Sequence, residues 1–147
     1  MVVDKKVKTG YTAGCFDMFH TGHLNVLRRA KSKCDRLVVG VNSDAAMYKY
    51  KKRYPIMPEK DRKEIVESIK YVDQVVLVEN TDKVYAYETI KFDKIFVGDD
   101  HKDEPAWKKL EEYLKLHGSA IEYFMYTKHV SSTKLRTALE NLLETYG

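Results

Sequence analysis

The sequence predicts an α/β fold in which helices cover both faces of a doubly wound, five-stranded parallel sheet. Short apolar runs alternate along the chain with segments of helical periodicity, and this order is typical of parallel sheets. The run at residues 37–41 is continuously apolar, as expected of a strand buried on both faces. Polar clusters follow three of the predicted strands, which would bring these clusters to one edge of the sheet.

Each predicted strand is a short run rich in β-branched and aromatic residues. In chain order the runs are residues 7–13, 37–41, 75–78, 95–97 and 120–124. Each is separated from the next by at least one helical segment, as parallel pairing requires.

Each predicted helix shows apolar residues at helical spacing, first-turn chemistry, or both. Leu24, Leu27 and Ala30 recur near helical spacing in the first helix, and Pro58 opens the third. In chain order the helices are expected at residues 22–33, after 42–44, from 58 onward, at 84–90, at 105–116, and from 131 to near 145.

The composition is that of a globular protein. The chain has 147 residues, 44% hydrophobic and 33% charged, so one domain over residues 1–147 is expected. No apolar run approaches the roughly 20 residues of a membrane helix, and neither a signal peptide nor a membrane partner is expected. Cys15 and Cys34 are expected to be free thiols in a cytoplasmic protein.

The net charge of +4 is mild and suits either nucleic acid or phosphorylated small molecules as ligands. Much of the excess lies at residues 49–53, interleaved with tyrosines. Such a run is more often a solvated face, but here it also predicts a basic loop over a ligand. No clear aromatic–basic alternation of the single-strand binders is present, so nucleic acid is not expected as a partner.

The pair His20 and His23 is the strongest candidate for chemistry. It sits where a predicted strand gives way to a predicted helix, and a helix N-terminus presents N–H groups and a positive dipole to an anion. Residues three apart share a helix face, and Gly22 between them lets a ligand approach the backbone. Zinc ligation is the rival interpretation, although no further Cys or His lies nearby to complete a tetrahedral set.

Two further clusters follow later strands. Ser131, Ser132 and Thr133, with Arg136 one turn on, predict a helix start that binds phosphate oxygens, although plain N-capping would explain the hydroxyls alone. The turn at Asp99 could accept hydrogen bonds from ribose hydroxyls or help to hold Mg²⁺, or could simply be a polar turn.

These residues together resemble the HxGH nucleotidyltransferases, cytidylyltransferase branch. Gly14-Cys15-Phe16-Asp17 with His20-Thr21-Gly22-His23 resembles their first signature. Ser131-Ser132-Thr133-Lys134-Leu135-Arg136 resembles their C-terminal signature, and the segments at Arg62, 69–75 and 97–100 resemble the stretches between. The resemblance covers residues 7–139.

The resemblance implies a Rossmann-like domain, a homodimer, and the use of CTP with Mg²⁺. The phosphate of a phosphorylated small alcohol, glycerol 3-phosphate first of all, would attack the α-phosphorus and release pyrophosphate. Phosphoethanolamine, phosphocholine or a sugar phosphate would be alternative acceptors, and an ATP-dependent adenylyltransferase of FAD synthetase type the alternative enzyme. The alternative to an enzyme is a non-catalytic module that binds a nucleotide or a nucleic acid.

By the same resemblance, each site residue receives a role. His20, His23, Lys51 and Arg136 would act on the triphosphate, and Asp17 would anchor the histidine loop or approach the phosphate-bound Mg²⁺. The nucleotide would contact Gly14, Cys15, Phe16, Asp17, Gly22, Lys70, Tyr71, Gly98, Asp99, Ser131, Ser132 and Thr133. The acceptor would contact Arg53, Arg62 and His129.

Two positions depart from the family pattern. Lys70 stands where relatives often carry Arg, and the two cations are not interchangeable at a bidentate contact. His129 stands where relatives often carry Gly, which suggests an added contact to pyrophosphate or acceptor.

Overall fold

The computed structural model describes residues 6–125 and 131–146, and it confirms the predicted fold class. The strands are β1 (Val7–Gly14), β2 (Cys34–Asn42), β3 (Gln74–Val78), β4 (Lys94–Gly98) and β5 (Ala120–Phe124). The helices are α1 (Thr21–Lys31), α2 (Asp44–Lys51), α3 (Glu59–Glu67), α4 (Lys83–Ile90), α5 (Pro105–Leu116) and α6 (Ser132–Tyr146). A 3-10 turn, Asp99–His101, follows β4.

The five strands form one parallel sheet in the order β3-β2-β1-β4-β5. The chain builds outward from β1 to β3 and then returns to place β4 on the other side of β1. This reversal makes the carboxyl ends of β1 and β4 the topological switch point, where open α/β sheets bind ligands.

Two apolar clusters cover the two faces of the sheet. One contains Leu27 and Ala30 of α1 with Val66 of α3, and the other contains Tyr87 of α4 with Leu114 of α5. Helices therefore pack on both faces, as the alternation of strands and helices predicts.

The element boundaries differ from the sequence expectations by a few residues. The strand expected at 37–41 begins at Cys34, because the buried Cys34 already pairs with Val7 of β1. Pro58 is the residue before α3 rather than its first residue, and α6 begins at Ser132, one residue after Ser131.

Candidate active site

The carboxyl ends of β1 and β4 open into a cleft of about 1180 Å³ that α5 and the first turns of α1 and α6 also line. Most of the predicted site residues meet there, although they come from separate parts of the chain. They are Gly14, Cys15, Phe16, Asp17, His20, Gly22, His23, Lys51, Arg53, Gly98, Ser131, Ser132, Thr133 and Arg136.

His20 and His23 cap the first turn of α1 with their own side chains. The Nδ1 atom of His20 accepts the backbone N–H of Gly22 at 3.0 Å, and Nδ1 of His23 accepts the backbone N–H of His20 at 3.2 Å. The two rings stack with their centroids 3.9 Å apart. The pattern is a capping box in which histidines replace the more common Ser or Thr and Glu or Gln.

In the neutral form of each ring, these capping bonds fix the tautomer. A ring nitrogen that accepts a hydrogen bond carries no proton, so the N–H of each ring lies on Nε2. Burial and then the neighbouring His20 lower the pKa of His23 to about 4, and His23 is therefore neutral at pH 7. At pH 7 the His23 ring therefore offers the site an uncharged N–H donor and not a charged imidazolium.

The first turn of α6 reaches the same place from the other end of the chain. The Ser132 hydroxyl donates to the carbonyl oxygen of Asp17 at 2.6 Å, and its oxygen lies 3.4 Å from Nε2 of His20. The Ser131 hydroxyl accepts the backbone N–H of Lys134 at 3.0 Å, which is the N-cap that the sequence predicts. Two helix N-termini therefore converge on one cleft, and both favour an anion there.

Asp17 holds the histidine loop against the rest of the site. Its two carboxylate oxygens accept the backbone N–H groups of Ile56 and Met57 at 2.8 and 2.9 Å. The guanidinium of Arg136 lies 3.4 Å from the same carboxylate and donates to the carbonyl of Tyr54 at 3.1 Å. Of the two roles that the sequence leaves open for Asp17, the geometry supports the anchor.

The backbone around Asp17 is held in an uncommon shape. Phe16 and Met18 have φ angles of 56° and 47°, a region that is costly for residues other than glycine. The carboxylate bonds of Asp17 supply the restraint that keeps the loop there.

The basic segment after α2 forms one wall of the cleft. Lys51 and Arg53 are exposed and line it, and Lys52 between them ends α2 with a φ of 59°. The rings of Tyr48 and Tyr54 stack at 4.7 Å, which braces this segment across its turn. Two cations, Lys51 at the end of α2 and Arg53 just after it, therefore line the same cleft as the histidine pair.

Arg62 does not face a substrate, and the structure contradicts that prediction. The side chain is fully buried. Its guanidinium donates to the carbonyls of Met57, Cys15 and Asn42 at 2.7–2.9 Å and pairs with Asp44 at 2.7 Å. Arg62 is thus a structural cation beneath the site, where it joins three loops.

Lys70 and Tyr71 are not among the residues that line the cleft. They precede β3 and so lie toward the amino ends of the strands, at the edge opposite the cleft. There the Tyr71 hydroxyl accepts a hydrogen bond from Arg28 of α1 at 3.2 Å, and the Lys70 ammonium lies over the Tyr71 ring. The structure does not bring either residue to the cleft, and their predicted contact with the nucleotide stays a prediction.

The turn after β4 supplies a different carboxylate from the one expected. Asp100 lines the cleft and Asp99 does not, because the 3-10 turn of Asp99–His101 rotates successive side chains. His129 lies outside the described residues, so its predicted role stays a prediction.

Lys83 is a cleft residue that the sequence patterns did not single out. It begins α4, directly after β3, and it is half-buried in the cleft wall. Burial lowers the pKa of its ammonium, against the opposing charge of Asp82. Its position after a strand could have identified Lys83 from the sequence, because the other polar clusters of the cleft also follow strands.

The cleft contains the Asp17 carboxylate, a candidate Mg²⁺ ligand, and the Cys15 thiol, a candidate nucleophile. Both oxygens of Asp17 are occupied by backbone donors, and in the described part of the chain no group of three or more His, Cys, Asp or Glu side chains could hold a metal. The described part of the cleft therefore contains no preformed cluster of metal-ligating side chains. Burial raises the pKa of the Cys15 thiol, which disfavours a thiolate.

The fold and the site together define a class: an α/β domain with a cleft at the switch point of its parallel sheet, onto which two helix N-termini converge. The cytidylyltransferase-like family matches residues 11–138, and the chain belongs to this family.

Curated relatives carry the name bifunctional protein HldE. The protein from Nitrobacter hamburgensis is 38% identical over 102 residues, which are 69% of this chain and 21% of that protein. The one from Geobacter metallireducens is 30% identical over 141 residues, which are 95% of this chain and 28% of that protein. The chain thus spans less than a third of the length of these relatives.

Solved structures share the architecture. The lipopolysaccharide core biosynthesis protein from Thermoplasma volcanium superposes with a TM-score of 0.68 at 26% identity, over 84% of this chain and 98% of that one. A pantoate-β-alanine ligase from Francisella tularensis has a TM-score of 0.57 at 15% identity, over 95% of this chain and 71% of that one, and shows the fold alone. Among the described residues, no helix is long and apolar enough to cross a membrane.

Proposed function

We propose that the protein transfers a cytidylyl group from CTP to the phosphate of a small polyhydroxy compound, with release of pyrophosphate. The convergence of the capped His20–His23 pair and the α6 N-terminus on one cleft carries this proposal. The family to which the chain belongs supports nucleotidyl transfer as the reaction, and its description supports CTP as the first donor to test.

In the proposed reaction an oxygen of the acceptor phosphate attacks the α-phosphorus of CTP. A new P–O bond forms to the acceptor, the bond between the α-phosphorus and the bridging oxygen breaks, and that oxygen leaves with pyrophosphate. Charge builds up on the phosphoryl oxygens during this exchange, so preorganised donors lower the barrier. No covalent intermediate with the protein is required.

The residues of the cleft divide this work. The Nε2–H groups of His20 and His23 donate to the α-phosphate region, where charge develops. The first turn of α6 and Arg136 hold the β- and γ-phosphates, with Ser131, Ser132 and Thr133 supplying hydroxyl and N–H groups. A divalent cation would enter with the triphosphate and offset part of its negative charge.

The acceptor phosphate lies, in this proposal, between the basic wall of Lys51 and Arg53 and the opposite cation, Lys83. The solved structure named for lipopolysaccharide core biosynthesis supports a sugar phosphate as acceptor, since a lipopolysaccharide contains a saccharide part. Glycerol 3-phosphate, the acceptor implied by the sequence resemblance, presents the same phosphate monoester beside a hydroxyl group.

The test is pyrophosphate release in a matrix of CTP and ATP against glycerol 3-phosphate, phosphocholine, phosphoethanolamine and a panel of sugar phosphates. We expect release with CTP and one class of hydroxylated acceptor, slowed by roughly 10²-fold or more in His23→Gln. Release with ATP alone would replace the cytidylyl proposal by an adenylyl one. Nucleotide binding in calorimetry without release for any pair would favour a non-catalytic binding module.

A further inference from the structure

A second cavity, the side cavity, opens beside the cleft between α2 and the segment that follows β3. Its volume is about 530 Å³, which lies within the range of small-molecule sites. Ala46, Lys49 and Tyr50 of α2 form one wall, and residues 79–81 form the other. None of these residues takes part in the proposed transfer, so the side cavity has no assigned role.

The side cavity adjoins the part of the cleft where the acceptor phosphate is proposed to bind. Tyr50 and Thr81 line both spaces. Thr81 also lies two residues before Lys83 in the chain, and Lys83 is one of the cations proposed to hold that phosphate. A ligand anchored by its phosphate at Lys83 can therefore extend past Thr81 into the side cavity.

The charges of the side cavity differ from those of the neighbouring cleft wall. That wall presents cations, and its carboxylate Asp82 is engaged as the N-cap of α4. The side cavity carries one cation, Lys49, and one carboxylate, Glu79, so its formal charge is balanced. A second phosphate would meet Glu79, and a quaternary ammonium would meet Lys49. Balanced charge favours an uncharged polar part of the ligand.

The side cavity offers hydrogen-bonding groups for such a part. Within the described part of the chain, the side chains of Lys49, Glu79 and Thr81 form no hydrogen bond or ion pair. Oδ1 of Asn80 accepts the backbone N–H of Asp82 at 3.0 Å, and its NH₂ group is a further donor. The 67% exposed ring of Tyr50 adds an apolar face. Donors, acceptors and an apolar face together match a hydroxylated carbon chain or ring.

We propose that the side cavity binds the hydroxylated part of the acceptor remote from its phosphate and so selects sugar monophosphates over glycerol 3-phosphate. This inference rests on the proposed function, because that function places the phosphate at Lys83. Glycerol 3-phosphate keeps both hydroxyl groups close to its phosphate, whereas a sugar ring carries hydroxyl groups several bonds further away. Glu79 and Thr81 are then specificity residues, since a site built to bond a hydroxyl group discriminates against a ligand that lacks it.

Kinetics at saturating CTP test this selection. We compare kcat/KM for glycerol 3-phosphate with kcat/KM for a pentose and a hexose monophosphate. The parent should prefer a sugar phosphate by about 10-fold or more. Glu79→Ala and Thr81→Ala should each lower that preference by about 5- to 10-fold and leave glycerol 3-phosphate unchanged.

Glu64→Ala is the matched control, because Glu64 is an exposed carboxylate of α3 that lines neither cavity. It should keep the parent's preference. A parent that prefers glycerol 3-phosphate would overturn the inference, and so would side-cavity variants that slow both acceptors equally.

Lys49→Met tests the charge argument. The substitution removes the cation that opposes a quaternary ammonium and leaves Glu79 and the Tyr50 ring in place. Phosphocholine should therefore improve as an acceptor by about 5-fold relative to glycerol 3-phosphate. Lys60→Met, at an exposed lysine of α3 outside both cavities, should leave this ratio unchanged. A parent that uses phosphocholine better than any sugar phosphate, or no change in Lys49→Met, would contradict the argument.

Saturation-transfer NMR separates this inference from the proposed function, because it detects binding without turnover. The probe is the hexose monophosphate without nucleotide. We expect transfer to the ring protons in the parent and Glu64→Ala, and weaker transfer in Glu79→Ala. Absence of pyrophosphate release with every substrate pair would overturn the proposed function, whereas this NMR result would still support the side cavity. Equal transfer in the parent and Glu79→Ala would overturn the inference.

Discussion

His23 accepts the backbone N–H of His20 through Nδ1, with 3.2 Å between the two nitrogen atoms. One contact thereby caps helix α1 and commits the proton of the His23 ring to Nε2. The capping role and the donor role can be separated by substitution, because Asn is a good N-cap residue and Gln completes a capping box.

We expect His20→Asn and His23→Gln to keep the fold and lose the reaction. Each variant retains a side-chain acceptor for the helix N–H group and lacks the imidazole donor. The free energy of unfolding should change by less than about 1 kcal/mol, whereas kcat should fall by roughly 10²-fold or more. Urea unfolding and steady-state kinetics measure the two effects.

His23→Ala is the matched comparison, since it removes cap and donor together. It should lose a similar factor in kcat and, in addition, about 1 kcal/mol of stability. If His23→Gln kept the parent's kcat, His23 would have no part in the reaction.

The low pKa of His23 predicts a pH dependence of stability. The ring has a pKa of about 4 in the folded protein and an ordinary value of 6.5, so between these values the unfolded chain binds the proton more strongly. Stability is therefore lost as the pH falls from 6.5 toward 4. Between pH 7.5 and 5 the loss assigned to His23 is about 2 kcal/mol.

Urea unfolding of the parent and of His23→Gln at both pH values isolates this effect, because the other titrating groups are common to the two proteins. The parent should lose more stability on acidification than the variant. NMR titration of the His23 ring nitrogens gives the pKa directly. A value near 6.5 would contradict the burial argument.

Arg62 should matter for stability and not for substrate affinity. Arg62→Met removes the cation that pairs with Asp44 and the guanidinium donors to three carbonyls, which costs on the order of 3–5 kcal/mol. Lys63→Met, at the neighbouring position of α3, removes only a solvent-accessible ion pair with Glu67 and should cost less than about 1 kcal/mol. Both are measured by urea unfolding. Full stability of Arg62→Met with a raised KM for the acceptor would restore Arg62 to the substrate site.

Asp17→Asn should weaken the fold without changing the metal requirement. The substitution removes the charged acceptor that two backbone N–H groups and Arg136 share, at a cost of about 2–3 kcal/mol. Asp35→Asn, at an exposed carboxylate, is the control in urea unfolding. The Mg²⁺ concentration for half-maximal activity should stay that of the parent. A large increase in it would assign Asp17 to the metal.

The sequence predicts the fold well because the signals involved are local. Apolar runs and helical periodicity are enough to define strands and helices, and the rule on switch points then brings His20 and Ser132 to one cleft. Arg62 shows the limit of this reasoning. Its charge favours a ligand contact, and only the packing of three loops around it shows that its partners are carbonyls.

Lys70 and Lys83 illustrate the same limit from the two ends of one strand. Lys70 lies before β3, at the edge of the sheet away from the cleft, whereas Lys83 follows β3 and lines the cleft. The nucleotide contact of Lys70 was expected from the family resemblance, although its position before a strand favours the opposite edge of the sheet. Asp99 and Asp100 differ only through the local turn, which residue types alone do not determine.

Lys83 should distinguish the acceptor from the nucleotide. It is a half-buried cation in the cleft wall, at the start of α4 and across from the basic loop in the proposed arrangement. Lys83→Met removes the charge and keeps the length of the side chain. We expect the KM for the acceptor to rise about 10-fold, equivalent to about 1.4 kcal/mol of lost binding, while the KM for CTP changes less than about 2-fold.

Lys108→Met is the matched control, because Lys108 is an exposed lysine of α5 outside the cleft lining. It should leave both KM values unchanged. Kinetics with each substrate varied at saturation of the other separate the two effects. A rise in the KM for CTP alone would move Lys83 to the triphosphate, and the acceptor phosphate would then depend on Lys51 and Arg53, whose loop already lies against Arg136 through Tyr54.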